Sequence, residues 1–134
     1  MPLAIRFRCV LSACALMTAC SADVFPTAVP QGAWGGEHVA LDVTGAGAQV
    51  TFDCAHGSLD QPLTLDSSAR FSVTGTYTPE GGPTPQSEQR LPAAYSGRLQ
   101  GNTLTLTVTL TSSSQALGSF TLTWGRTPTI TKCL

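Results

Sequence analysis

The stretch TLTLTVTLT, residues 103–111, decides the fold class of this chain. Leucine or valine occupies every second position, and threonine occupies the positions between. Because successive side chains of a strand point to opposite faces, this alternation predicts a β-strand with one apolar face towards a core. Threonine is β-branched and suits the solvated face of such a strand.

The same two-residue period recurs along the chain, and no segment shows helical periodicity. Further alternating sets are Val39, Leu41 and Val43; Val50, Phe52 and Cys54; Phe71, Val73 and Tyr77; and Phe120, Leu122 and Trp124. Turn-forming residues lie between these runs. The pattern predicts an all-β domain of about eight antiparallel strands in an up-and-down meander, closed into a small barrel, with a β-sandwich as the alternative. Closure also removes exposed strand edges.

The first nineteen residues have the composition of an export signal. Arg6 and Arg8 precede an apolar run at positions 9–19, which is too short to span a bilayer. The tetrapeptide Met17-Thr18-Ala19-Cys20 resembles the end of a bacterial lipoprotein signal. The resemblance implies cleavage after Ala19 and acylation of Cys20.

Two other cleavage positions are compatible with this region. Cleavage before Cys14 would leave an apolar run of only about five residues, below the usual range. Ordinary signal cleavage after Ala22 would release a soluble secreted protein. Ser21 stands where an aspartate would resemble an inner-membrane retention signal, so the lipoprotein resemblance implies an outer-membrane anchor, with the domain facing the periplasm.

The chain thus divides into a signal peptide at 1–19, a lipidated tether at 20–31 that contains Pro26 and Pro30, and a single β-barrel domain at 32–134. Loss of the signal removes two of seven basic residues and none of eight acidic ones, which leaves a side-chain charge of 5 − 8 = −3. An acidic balance argues against nucleic acid as a partner and against electrostatic docking on membranes. The lipid bilayer is the predicted partner through acylated Cys20.

The remaining cysteines predict one disulfide. Cys9 and Cys14 leave with the signal, so Cys54 and Cys133 form an even pair in an oxidising compartment. The alternation places Cys54 on the inward face with Phe52, whereas Cys133 faces outward if Ile130 belongs to a last strand. A bulge or a bridge between strand ends would reconcile the two, and a misassigned last strand is the alternative.

No residue pattern predicts catalysis, a metal site or a cofactor. Asp53, His56 and Ser58 are the residue types of a hydrolytic triad, but they lie within six residues at one strand end, where alternation separates their side chains. Two histidines and scattered carboxylates lack the ligand spacing of known metal sites. The sequence therefore predicts a non-enzymatic protein.

Gly32-Ala33-Trp34, just before the first alternating strand, resembles the Gly-x-Trp opening of the calycin superfamily, the lipocalins and their relatives. The resemblance implies a barrel with Trp34 across its floor. Avidin-like barrels are closer in size but use several tryptophans in their ligand pockets, and this chain has only Trp34 and Trp124. The small periplasmic metalloprotease-inhibitor barrels share the size, the disulfide and the early tryptophan. The chain also resembles uncharacterised exported lipoproteins.

The predicted role is a lipid-anchored envelope protein that acts as a non-catalytic binding or structural module. The alternatives are a periplasmic protease inhibitor, with an envelope protein as partner, and a carrier of a small apolar ligand. The proline-rich stretch at residues 79–92 is either a solvated connector or a partner-contacting loop. The aromatic residues that would line a ligand cavity or fill the core are Trp34, Phe52, Phe71, Tyr77, Tyr95, Phe120 and Trp124.

Overall fold

The computed structural model describes residues 26–81 and 89–133, and within them the chain forms eight β-strands and no helix. The all-β prediction is confirmed. The strands are β1 (Gly32–Gly36), β2 (Val39–Val43), β3 (Ala48–Phe52), β4 (Ala55–Leu59), β5 (Arg70–Pro79), β6 (Leu91–Gln100), β7 (Thr103–Leu110) and β8 (Gln115–Trp124).

Each strand pairs antiparallel with the next, and β1 also pairs with β8, so the meander closes into a barrel. The closing register places Trp34 opposite Trp124 and Gly36 opposite Leu122. This is the predicted up-and-down barrel rather than the sandwich. One irregularity interrupts the ladders: between Val108 and Thr109 the register with β8 shifts by one residue.

The alternation that predicts the strands also decides which side chains fill the barrel. On β7, Leu104, Leu106 and Val108 are fully buried, whereas Thr105 between them is exposed. Each buried aliphatic side chain of this kind stabilises the fold by about 1.5–3 kcal/mol relative to an exposed one. The core is a single cluster to which all eight strands contribute.

Residues 27–31 cross one end of the barrel, which we call the floor. The Val29 N–H donates to the Leu63 carbonyl, and Ala28 forms a bridge with Thr64 in the loop between β4 and β5. The Trp34 indole donates to the Pro30 carbonyl at 3.0 Å, so Trp34 closes the floor from inside. The described end of the predicted tether, residues 27–31, is therefore bonded to the barrel.

Residues 125–133 form no ninth strand, so the condition that Ile130 belongs to a last strand is not met. The chain leaves β8 at the floor and returns along the outside of β1, where the Thr129 N–H donates to the Gly36 carbonyl. A Cβ on Gly35 would lie 2.0 Å from the Arg126 carbonyl oxygen, so this crossing requires glycine on the outer face of β1. We call residues 125–133 the C-terminal strap.

Candidate functional site

The C-terminal strap ends at the barrel end opposite the floor. We call this the disulfide end, because the predicted disulfide between Cys54 and Cys133 lies there. Their Cα atoms are 5.1 Å apart across a separation of 79 residues. Both cysteines are exposed and lie outside the strands, so the conflict of facing directions does not arise. The bridge joins the turn between β3 and β4 to the end of the strap.

Asp53 holds the strap on one side of the disulfide. Its Oδ1 accepts a hydrogen bond from the Thr131 N–H at 3.0 Å, and its Oδ2 lies 2.6 Å from Nδ1 of His38. His38 has a left-handed backbone with φ of 68°, and its N–H donates to the Thr129 carbonyl. The turn between β1 and β2 is thus bonded to the strap directly, through the backbone N–H of His38. It is also connected to the strap indirectly, because the His38 imidazole contacts Asp53 and Asp53 binds Thr131.

Glu80 holds the strap on the other side. Lys132 Nζ lies 2.8 Å from Glu80 Oε2 and donates to the Phe52 carbonyl at 3.1 Å. The second carboxylate oxygen, Oε1, lies 2.5 Å from Nδ1 of His56 on β4. Two carboxylates, two histidines and one lysine therefore connect the strap, the disulfide and the strand ends.

These contacts lower the pKa of both carboxyl groups. The hydrogen bond from the Thr131 N–H is the main reason that the pKa of Asp53 lies below its ordinary value of 3.8, and His38 and Lys132 lower it further. The hydrogen bond from Lys132 is the main reason that the pKa of Glu80 lies below 4.5, and His56 adds to the effect. Both side chains are therefore ionised at neutral pH and stabilise the strap electrostatically.

Three of the candidate aromatic residues meet inside the disulfide end. The Phe52 ring lies 5.7 Å from Tyr77 and 5.0 Å from Phe120, centroid to centroid, in tilted arrangements typical of aromatic pairs. Tyr77 and Phe120 are only partly buried, and burial raises the pKa of the Tyr77 hydroxyl. This end of the core therefore reaches the surface as an aromatic cluster.

The other four candidate aromatics lie elsewhere. Trp34, Phe71 and Tyr95 are buried in the core. The Tyr95 hydroxyl donates to the Thr76 carbonyl at 2.6 Å, and burial raises its pKa strongly. Trp124 lies at the floor and is 53% exposed, so it does not belong to the core. The seven residues do not line one cavity.

Side chains fill the barrel interior. Trp34 and Tyr95, together with aliphatic residues from β2, β3 and β7, have at most 1% of their surface exposed. Glycine makes room for the rings: a Cβ on Gly57 would lie 2.4 Å from the Tyr95 hydroxyl, and one on Gly97 would lie 2.4 Å from the Phe71 ring. Eight-stranded barrels enclose little more than their own side chains, and this one follows the rule.

The polar residues that suggest a triad have separate partners. Asp53 contacts His38, His56 contacts Glu80, and the Ser58 hydroxyl donates to Asp60 at 2.7 Å. Within residues 26–81 and 89–133, no group of three or more His, Cys, Asp or Glu side chains is placed to hold a metal ion.

The proline-rich segment connects β5 to β6 at the disulfide end. β5 continues to Pro79 and β6 begins at Leu91, so the connection is residues 80–90, shorter at each end than the predicted stretch. Residues 82–88 lie outside the described residues. The Glu80 N–H donates to the Cys54 carbonyl, which joins the start of the loop to the disulfide.

The sequence pattern predicts the disulfide and indicates the candidate aromatic residues, but it does not indicate the ion-pair partners of the strap. Glu80 and Lys132 are 52 positions apart, and no local spacing links them. The one feature of the sequence that could have indicated this ion pair is that each partner lies next to a disulfide cysteine. Lys132 precedes Cys133, and Glu80 follows the strand that ends beside Cys54.

Comparison with known proteins finds no matching family model, no matching curated protein and no matching solved structure. The class of protein is therefore given by architecture alone. A small closed barrel of eight antiparallel strands in meander order is consistent with a calycin-like fold. Cys20 and the signal-like segment lie outside the described residues, and the part that is described contains no helix able to cross a membrane.

Proposed function

We propose that this chain is a lipid-anchored envelope protein whose barrel binds a macromolecular partner at its disulfide end without catalysis. The filled interior carries this proposal. Because the space inside the strands is occupied by Trp34, Tyr95 and aliphatic side chains, a ligand of any size has to bind outside the barrel. The carrier alternative is less favoured, because buried side chains of the described residues occupy this space.

The disulfide end has the properties of a rigid binding surface. The disulfide, the Asp53 contacts and the Lys132 to Glu80 ion pair hold the strap and three turns together. Partly buried aromatic rings next to this frame supply apolar contact area, and the loop at residues 80–90 starts from it. Loops held by a rigid scaffold are common binding elements, and a pre-ordered surface loses little entropy on association.

The anchor is supported by the sequence resemblance of residues 1–20 to lipoprotein signals. Acylation of Cys20 and outer-membrane placement are part of the proposal. If the partner is a protease, as in the inhibitor alternative, we propose that this surface contacts it through the loop at residues 80–90. Inhibition through the N-terminal tether is less favoured, because residues 27–29 are bonded to the loop that contains Leu63 and Thr64.

Membrane attachment is tested by fractionation of cells that express the wild type or Cys20→Ser. The wild type is expected in the membrane fraction, with the mass of the acyl chains on Cys20, and Cys20→Ser is expected in the soluble fraction. Membrane attachment of Cys20→Ser, or an unmodified Cys20 in the wild type, would refute the anchor.

The binding surface is tested by placing a photo-crosslinking residue at one position at a time in the living cell. Arg90 and Ser113 are exposed at the disulfide end, and Asp42 and Ser72 are exposed on the outer wall as controls. We expect a discrete crosslinked protein from the first pair only. Crosslinks from all four positions alike, or from the wall positions only, would contradict the assignment.

A further inference from the structure

We propose that the floor of the barrel docks on the membrane surface, with the Trp124 ring at the bilayer interface and Arg70 and Arg98 on lipid phosphates. The inference rests on the proposed acylation of Cys20. It extends that proposal from attachment through the acyl group to a defined orientation of the domain.

Trp124 is the large hydrophobic residue that the described part of the chain leaves exposed, with 53% of its surface accessible. Its Nε1 points to the Gln31 carbonyl at 3.5 Å, so the polar atom of the indole faces the chain that enters the barrel from Cys20. Tryptophan combines an apolar body with one polar atom, which is why it concentrates at the interface of membranes with water.

Arg70 and Arg98 form the cationic part of the surface. They lie directly opposite each other on β5 and β6, at the strand ends nearest the floor. Like charges in this arrangement destabilise a sheet unless an anion lies between them. No described carboxylate is within ion-pair distance of either guanidinium, and a cleft of about 350 Å³ beside them is also lined by Ser96, Thr105 and Thr107.

The two parts of the surface are close together in the sheet. Arg98 pairs with Thr105 on β7, and Thr105 pairs with Thr121 on β8, three residues before Trp124. The Trp124 N–H donates to the Asn102 carbonyl in the turn between β6 and β7. Arginine side chains on the wall can therefore extend to headgroups while the ring enters the interface.

The predicted tether keeps this surface near the bilayer. Pro26 lies six positions after Cys20, and a fully extended chain of that length covers about 20 Å. From Pro26 the chain runs directly onto the floor, beside Thr64 and Leu65. An acyl group on Cys20 therefore holds the floor, and not the disulfide end, within reach of the membrane.

Acidic residues limit which side of the floor makes contact. Asp42 and Asp60 are exposed near the floor on the side of β2 and β4, and a membrane with anionic lipids repels them. Asp66 lies near Arg70, where its Oδ1 accepts hydrogen bonds from the Ser68 and Arg70 N–H groups, and its negative charge offsets part of the charge of the two arginines. The acidic balance predicted for the processed chain therefore still leaves a cationic side at β5 and β6, and the barrel is expected to tilt towards it.

The test uses the acylated full-length protein in vesicles of phosphatidylethanolamine and phosphatidylglycerol with brominated acyl chains, which quench tryptophan only at the interface or deeper. Wild type is compared with Trp124→Phe, in which buried Trp34 is the remaining tryptophan. We expect quenching in wild type and its loss in Trp124→Phe. Arg70→Gln with Arg98→Gln should reduce the quenching, whereas the matched control Arg90→Gln, at the disulfide end, should not.

Mass spectrometry of the same sample separates the two proposals. If Cys20 carries acyl chains and Trp124 stays unquenched and open to aqueous iodide, floor docking is refuted while the anchor stands. If Cys20 is unmodified, the proposed anchor is refuted, and floor docking, which rests on the acylation, is refuted with it. Equal loss of quenching in the Arg90→Gln control would refute the assignment of the phosphate contacts to Arg70 and Arg98.

Discussion

Single glycines determine how the barrel interior is filled. Gly97 lies opposite Phe71 in the β5–β6 ladder, and the Phe71 ring occupies the space that a side chain at position 97 would need. In the same way, the Tyr95 hydroxyl occupies the space that a side chain at position 57 would need. Phe71 and Tyr95 thus each pack against a residue without a side chain, which gives a dense core in a narrow barrel.

Gly97→Ala is expected to destabilise the protein although alanine is small. Its Cβ would lie 2.4 Å from Phe71 and 2.8 Å from the Thr105 carbonyl, so the ring has to move, at a cost of about 1–3 kcal/mol. The measurement is the free energy of unfolding in urea. Gly45→Ala is the matched control, because the nearest atom there is the end of the flexible Gln31 side chain at 3.4 Å. Equal stability of the two variants would contradict this packing.

Tyr95→Phe tests the one hydrogen bond that this ring makes. The substitution removes the donor to the Thr76 carbonyl and leaves the ring in place. We expect a loss of about 1 kcal/mol in the free energy of unfolding, typical of a buried neutral hydrogen bond. A stability equal to that of wild type would mean that water or another donor serves the Thr76 carbonyl as well as the hydroxyl does.

The C-terminal strap is an element without secondary structure of its own, and its position depends on bonds to other elements. Gly36 and His38 bond its backbone at Thr129, Asp53 bonds it at Thr131, and the disulfide holds its end. Alternation cannot predict such an element, because its side chains follow no period.

Removal of the disulfide is expected to weaken the whole domain. In the chain-entropy description a crosslink that closes a loop of 79 residues contributes about 4 kcal/mol. The double variant Cys54→Ala with Cys133→Ala should lose a large part of this in urea unfolding. Reduction of wild type with dithiothreitol should reproduce the loss and should not affect the double variant. A double variant as stable as wild type would show that the noncovalent contacts suffice.

Acid is expected to release the strap. Asp53 and Glu80 have folded-state pKa values below their ordinary 3.8 and 4.5, so their stabilising effect is complete above these values. It is lost as the pH falls through the folded-state pKa values, where the unfolded chain binds more protons. Urea unfolding from pH 7 to pH 2 should show a smaller acid loss in Asp53→Asn than in wild type. The control is Asp42→Asn, because the Asp42 carboxylate has no described hydrogen bond. Its loss of stability in acid should equal that of wild type.

The whole molecule has two ends with different chemistry. The floor is closed by residues 27–31 and has Trp124 at its edge, and the disulfide end has the braced strap and the aromatic cluster. If the floor faces the membrane, the ten-residue strands β5 and β6 hold the disulfide end away from it. The two proposals are therefore compatible in one orientation.

Alternation at positions such as 103–111 was sufficient to predict antiparallel strands, because a period of two needs only neighbouring residues. The closed meander was favoured by the number of strands and their short connections. The paired cysteines followed from their number and compartment. Tertiary structure alone decided that residues 125–133 run outside β1, that Glu80 meets Lys132, and that Trp124 lies at the surface while Trp34 is buried. These outcomes depend on contacts between distant segments and on the space left inside a closed sheet, and neither is written in the local pattern of side chains.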